Sequence, residues 1–353
     1  MKLKPLILII ASVCFVHSCI DPVDFSKGDD SKSLVVDGLI TNAPGPYVVK
    51  LERTSDYNIT SEHTEEVQGA VVFLSDDVGN SETLTESHMP GTYETDPGSI
   101  RGVPGRYYKI EIVTPDGKHY ESDYELLSPV PEIDAIYYER QQLQELDDDN
   151  NVRTFEGFQI YIDTRDPENS NNYYMWSWDG THEVHIQPWD YDMWGTRYAP
   201  KDCCATCWVT ELPGHINVLD DRLFAGNQMN KMPVVFVRIK KSDGARFFRG
   251  KFHVEVKQLS LSKEAYKYWF SIKEQIRSSG SIFEPPHGAI MGNIENINDP
   301  EDIVFGYFGA SAISTNSIFI PASEAPYHPD DTLVWPDDCR RFPNSTTIEP
   351  SFW

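Results

Sequence analysis

The chain runs to 353 residues, 12% of them aromatic, and sets 30 Lys and Arg against 55 Asp and Glu for a net charge of −25. A surface that negative repels phosphate backbones and anionic headgroups, which argues against a nucleic-acid partner. The length suffices for two domains with real cores, and the aromatic share favours β-rich packing.

The start, MKLKPLILIIASVCFVHSC, sets the compartment. Lys2 and Lys4 give a basic end, Leu6 to Val16 an apolar run too short to span a bilayer, and Ser18 a small residue before Cys19. This order reads as a lipoprotein signal peptide over residues 1–18, cut so that Cys19 becomes the lipidated first residue. An ordinary secretory signal, with Cys19 unmodified, is the competing reading. More than one acyl chain anchors a protein stably. No later run of eighteen apolar residues exists, so the body is tethered to a membrane through lipid rather than spanning it. Removing the leader leaves 28 basic and 55 acidic residues, a net charge of −27. Residues 19–33, acidic and without periodicity, read as a flexible tether.

From residue 34 short strands follow one another: SLVVDGLIT, YVVKLERT, GAVVFLSDD, GTYETD, RYYKIEIVT and KHYESDYELL. Each is rich in Val, Ile, Tyr or Thr and bounded by turn residues. Asp116-Gly117 is a hairpin signal, because glycine accepts the positive φ of a tight turn. The pattern predicts an immunoglobulin-like β-sandwich over 34–128. Ser128-Pro129-Val130-Pro131 marks a boundary. A larger β-rich domain is expected over 132–353, beginning with a strand from Ile133 to Glu139. ELDDDNN reads as an exposed loop, and FEGFQIYIDT, YYMWSW, HEVHIQ, VVFVRIKK and FFRGKFHVEVKQL as further strands. In YYMWSW, alternation assigns Tyr174, Trp176 and Trp178 to packing. A cysteine-bearing insertion occupies about 180–230. One amphipathic helix is predicted over 262–279, capped by Ser262, with an apolar stripe of Ala265, Tyr268, Trp269, Ile272 and Ile276, and closed by Gly280. The fold class is therefore mainly β: one sandwich, then a second sandwich-like domain with one packed helix.

Candidate chemistry is sparse. Cys14 leaves with the leader, so Cys203, Cys204, Cys207 and Cys339 remain, an even number in an oxidising compartment. Three pairings are possible; one bridge within 203–207 and one from that cluster to Cys339 is favoured. A four-thiolate zinc site would use the same residues, but Cys339 has no neighbouring cysteine. A redox Cys204-Ala205-Thr206-Cys207 lacks the helix and βαβ unit it needs. His182 and His185 read as exposed histidines on opposite faces of a strand, not as a metal motif. Trp189, Tyr191 and Trp194 are candidates for ligand or partner contact. No catalytic residue, metal or cofactor is expected, and the chain reads as no enzyme.

Several segments carry a resemblance. The lipoprotein start, the N-terminal sandwich, CCATCW, the helix LSLSKEAYKYWFSIKEQI and the run SIFEPPHGAIMGNIENINDPEDIVFGYFGASA together resemble a lipoprotein family of Bacteroidota described only as a domain of unknown function. The likeness covers nearly the whole mature chain. Members are typically encoded beside TonB-dependent outer-membrane receptors. The resemblance therefore implies an outer-membrane, lipid-anchored partner of such a receptor, at the cell surface, serving nutrient capture or import. It implies no catalytic residue. An independent surface glycan- or peptide-binding lipoprotein is the alternative.

Overall fold

Alternation builds the first sheets. In Leu34–Thr41 the side chains of Leu34, Val36 and Ile40 are buried while Asp37 and Leu39 face outward, as a strand's two-residue period demands. The computed structural model describes residues 32–353 except 55–64, 147–150, 169–171, 191, 194–196, 199–202, 213, 221–225, 239–250, 279–287 and 325–337. The leader, Cys19 and most of the tether thus lie outside the described residues.

Two six-stranded sheets enclose the first core. One runs Val304–Ser311, Leu34–Thr41, Val48–Arg53, Thr92–Glu94 and Thr85–Glu86, with Glu65–Glu66 beside Val48–Arg53. The other runs Ile294–Asn296, His119–Ser122, Tyr107–Val113, Val71–Asp76 and Ser81–Thr83, with Glu125–Leu126 beside Tyr107–Val113. Between them pack Leu51, Val72, Tyr93, Tyr108, Ile112 and Tyr120. The Asp116-Gly117 turn forms as expected: Gly117 has φ 82° and donates its N–H to the Thr114 carbonyl at 2.8 Å.

This sandwich, expected over 34–128, also takes strands from far downstream. Val304–Ser311 lies parallel to the first strand, from Leu34↔Val304 to Thr41↔Ser311, and Ile294–Asn296 completes the opposite sheet. Glycine permits the approach. Gly306 has φ 91°, and a Cβ there would lie 1.8 Å from the Val36 carbonyl oxygen. A Cβ on Gly292 would lie 1.6 Å from the Gly306 oxygen. Only residues without a side chain fit both places.

The second sandwich sets a three-stranded sheet, Ile133–Leu146, Val152–Arg165 and Gln228–Arg238, against a larger one. The larger sheet runs Ile313–Pro321, Lys251–Leu261, Tyr173–His185, Thr206–Glu211 and Ser345–Thr346, with Asn217–Asp220 beside Tyr173–His185. Phe158, Ile160 and Ile162 from one side meet Tyr174, Trp176, Phe252 and Val254 from the other. Tyr174 and Trp176 are buried and Trp178 half-buried against this core, as alternation predicted.

Three expectations change. The strand expected to stop at Glu139 continues to Leu146, and its partner starts at Val152 rather than Phe155. Polar cross-strand contacts sustain the extension: Arg140 pairs with Glu156 at 3.3 Å, and Arg238, which salt-bridges Glu145, lies 4.2 Å over the Phe155 ring. Polar side chains on both faces left no alternation to read. KHYESDYELL is two strands, His119–Ser122 and Glu125–Leu126. The helix, Lys263–Ser278, is capped as expected, with Ser262 Oγ accepting the Ala265 N–H at 2.9 Å. Its buried face, however, is Ala265, Tyr266, Tyr268 and Trp269, while Ile276 is 60% exposed. The ring contacts lie in its N-terminal half, Tyr266 stacked on Tyr173 at 4.9 Å and Tyr268 on Tyr307 at 4.8 Å, and Lys273 Nζ donates to the Val218 carbonyl at 3.5 Å further along. Gly280 lies outside the described residues.

The chain crosses between the sandwiches after Ser128 and again at Ala312. Ser260 joins the crossings: its Oγ donates to the Ser128 carbonyl and accepts the Ala312 N–H at 2.9 Å. Asn42 Oδ1 accepts the Ile313 N–H at 2.7 Å from the first sandwich. Beside them sits a buried carboxylate. Glu125 accepts from the Tyr307 hydroxyl and from Asn293 Nδ2 at 3.3 Å, and burial raises its pKa above the usual carboxylate value. Among the described residues no helix is long and apolar enough to cross a membrane.

Candidate functional site

The region richest in chemistry is where the C-terminal tail returns to the second sandwich. Thr206–Glu211 pairs antiparallel with Gly180–His185, placing Cys207 opposite Val184. The tail then adds its own short strand, with Ser345 opposite Val209 and Thr346 opposite Trp208. A disulfide fixes this arrangement: Cys207 and Cys339 are joined across 132 residues, their Cα atoms 5.7 Å apart. Around it Val184, Ile186, Val209 and Phe342 form a small core of their own. The bridge from the cluster to Cys339 is the one favoured from the cysteine count. The second bridge expected within 203–207 is absent, because Cys203 and Cys204 are free thiols once Cys207 is committed elsewhere.

Past the bridge, the last residues fold over the outer face of the large sheet. Phe352 stacks on His253 with ring centres 4.1 Å apart, and Trp353 meets Phe319 edge-on at 5.7 Å and Trp208 at 6.4 Å. Lys251 lies 4.2 Å over Phe319 and 4.7 Å over Trp353, a cation held against two aromatic faces. Burial, with Lys251 adding its repulsion, lowers the His253 pKa, so the ring stays neutral at physiological pH.

Between tail and sheet lies a groove of about 610 Å³. Asp179, Thr181, Thr210 and Glu255 line its floor, and Glu349 and Phe352 its tail side. Lys257 pairs with Asp179 and reaches Glu255 at 3.7 Å, which neutralises part of the acidic floor. The two threonine hydroxyls stand 3.3 Å apart. The lining is mostly apolar, with Ile348, Pro350 and Phe352 among it, and the hydroxyls and carboxylates set in it suit a partly apolar ligand that donates hydrogen bonds and disfavour an anion.

The residues singled out from sequence scatter. Trp189 is 53% exposed, on a single 3-10 turn, Pro188–Asp190. Tyr191 and Trp194 lie outside the described residues, as does Cys19. His182, expected to be exposed, is buried and stacked on Phe252, whereas His185 is exposed and 3.0 Å from Glu183. The two rings do take opposite faces of the strand. Sequence reasoning missed His253, Glu255 and Phe352, which line the groove with Asp179. Their one advance signal was Cys339, the lone cysteine in a tail otherwise without pattern.

Residues 20–317 match the family described as a domain of unknown function, DUF4249, and the chain belongs to it. The match ends before Cys339 and the tail. A search of curated proteins returned no match.

Proposed function

Taking that membership as the premise, we infer that the chain is a non-catalytic, outer-membrane-anchored lipoprotein that serves a TonB-dependent receptor in nutrient capture or import. The observation that carries this reading is the order Lys2, Lys4, apolar run, Ser18, Cys19, followed by an acidic tether and then the folded body. Acylated Cys19 holds the body at the membrane, and the tether raises its effective concentration near a barrel without any new contact. The partner follows from the resemblance of the helix and the GYFGASA run to lipoproteins encoded beside such receptors. In this reading the groove under the tail holds the ligand, and its lining favours a neutral or cationic, hydrogen-bond-donating nutrient. Co-purification from detergent-solubilised outer membranes tests the proposal. A β-barrel receptor accompanies the wild type; recovery of the lipoprotein alone, where other receptor complexes survive, counts against it.

The alternative is a surface protein binding glycan or peptide without a receptor, which the groove and exposed Trp189 favour. It predicts retention on a glycan or peptide panel that Trp189→Ala or Phe352→Ala weakens, with no barrel recovered.

A further inference from the structure

The four-thiolate zinc set is closed off, because Cys207 and Cys339 bind each other. The same bond creates a different donor set. It fixes the tail turn at Cys339–Arg341 against the 203–207 segment, where the Cys339 N–H donates to the Cys204 carbonyl at 3.2 Å. Asp338 caps that turn through the Arg340 N–H at 2.9 Å, so it arrives beside the two free thiols. One ligand atom each from Cys203, Cys204 and Asp338 lies within 4.8 Å of the others. Neighbouring side chains in an extended chain ordinarily diverge, so two adjacent sulfurs meeting one carboxylate is a convergent arrangement.

We propose that Cys203, Cys204 and Asp338 form a binding site for a divalent thiophilic cation of the zinc and cadmium class. Two thiolates select against magnesium and calcium, which prefer oxygen. Cys203 is exposed, which leaves a fourth position to solvent. The charges match: two thiolates and Asp338 carry three negative charges, and Arg340 returns one positive charge, leaving two for the ion to neutralise. Arg340 donates from Nε and Nη2 to Asp338 at 3.0 and 2.6 Å, and its Nη2 comes within 3.9 Å of Cys203 Sγ. It is thus the outer residue that orients the carboxylate. Metal binding must displace the thiol protons, so affinity climbs with pH. A bound ion adds a second tie between the 203–207 segment and the tail. The site stands apart from the receptor reading and survives its failure.

Cadmium alone is the probe. The mature chain is freed of metal with a chelator, peptide mapping confirms the Cys207–Cys339 bridge, and Cd²⁺ is titrated while the thiolate-to-metal charge-transfer band is followed. The band that separates the wild type from Cys203→Ser and Cys204→Ser reports this site and no other thiol. One Cd²⁺ per chain is expected, displaced by Zn²⁺ and not by Mg²⁺. Each serine variant abolishes the band; Asp338→Asn keeps the fold and weakens affinity at least about tenfold, the lower end of what losing even an outer partner costs. Unchanged circular dichroism in the variants separates loss of the site from loss of the fold. A Cys203–Cys204 disulfide in the purified protein, or a band unchanged in both serine variants, overturns the proposal.

Discussion

The first sandwich and the tail end of the second are held together by opposite means. The first closes on itself by backbone: strands separated by hundreds of residues pair in register, and Gly292 and Gly306 allow main chains to touch. The second end closes by side chains: a disulfide, a small core and a stack of aromatic rings pin a tail that, among the described residues, contributes two strand residues. The larger groove sits under the part that one covalent bond secures, whereas the smaller one of the first sandwich, about 260 Å³ beside Gly292 and Ile294, is walled by paired backbone. A binding surface built this way can adjust at its lid while its support stays fixed.

The sharpest way to break that contrast is at Gly306. Alanine there meets the Val36 oxygen at a φ that side chains avoid, and should cost about 3 kcal/mol or more in urea unfolding. Gly117→Ala is the control, because its Cβ meets nothing within 4 Å and costs only about 1 kcal/mol of strain. Equal losses would remove close backbone approach as the basis of the first sandwich.

Next comes Cys339→Ser. Losing a disulfide typically costs about 2–4 kcal/mol. Hydrogen exchange should rise in Thr206–Glu211 and Ser345–Thr346 while Leu34–Thr41 keeps its protection. Loss of protection in both regions together would show that they are one cooperative unit.

The two regions should also answer pH with opposite signs. Glu125 binds its proton more tightly folded than unfolded, so its contribution to stability is present below about pH 4.5 and declines as pH rises through the raised folded value. Glu125→Gln keeps the hydrogen-bonding shape and should flatten that decline. His253 binds its proton less tightly when folded, so the native state loses stability as pH falls below about 6.5. His253→Gln should remove that acid-side loss. Thermal melts of both variants across pH check the two signs, and a shared sign would refute the assignment.

The smallest expected effect is Ser262→Ala, about 1 kcal/mol from the lost cap, read as fraying of the helix by circular dichroism.

What sequence could reveal follows the same division. Alternating strands, the Asp116-Gly117 turn and the Ser262 cap are local, and local patterns foretold them. The pairing of Leu34–Thr41 with Val304–Ser311 has no local signature, because a parallel partner is chosen by the whole fold. GYFGAS carried only a hint of it, in a glycine whose φ no other residue adopts comfortably. The hairpin of Ile133–Leu146 and Val152–Arg165 was read short because its outer half is polar on both faces. At the tail, aromatic residues without periodicity gave no way to foresee that Phe352 would lie on His253. Cysteine arithmetic found Cys339 but could not say that Cys203 and Cys204 would remain thiols.

If the ligand groove under the tail faces the proposed barrel partner, site-specific photocrosslinking in intact cells tests the proposed tethered lipoprotein most directly. A crosslinker at Phe352, on the groove, is compared with one at Val78, 60% exposed on the first sandwich. A crosslink from Phe352 to a β-barrel outer-membrane protein, dependent on Cys19, is expected, and none from Val78. Crosslinks only from Val78, or none to any membrane protein from a chain shown to be anchored, would contradict it.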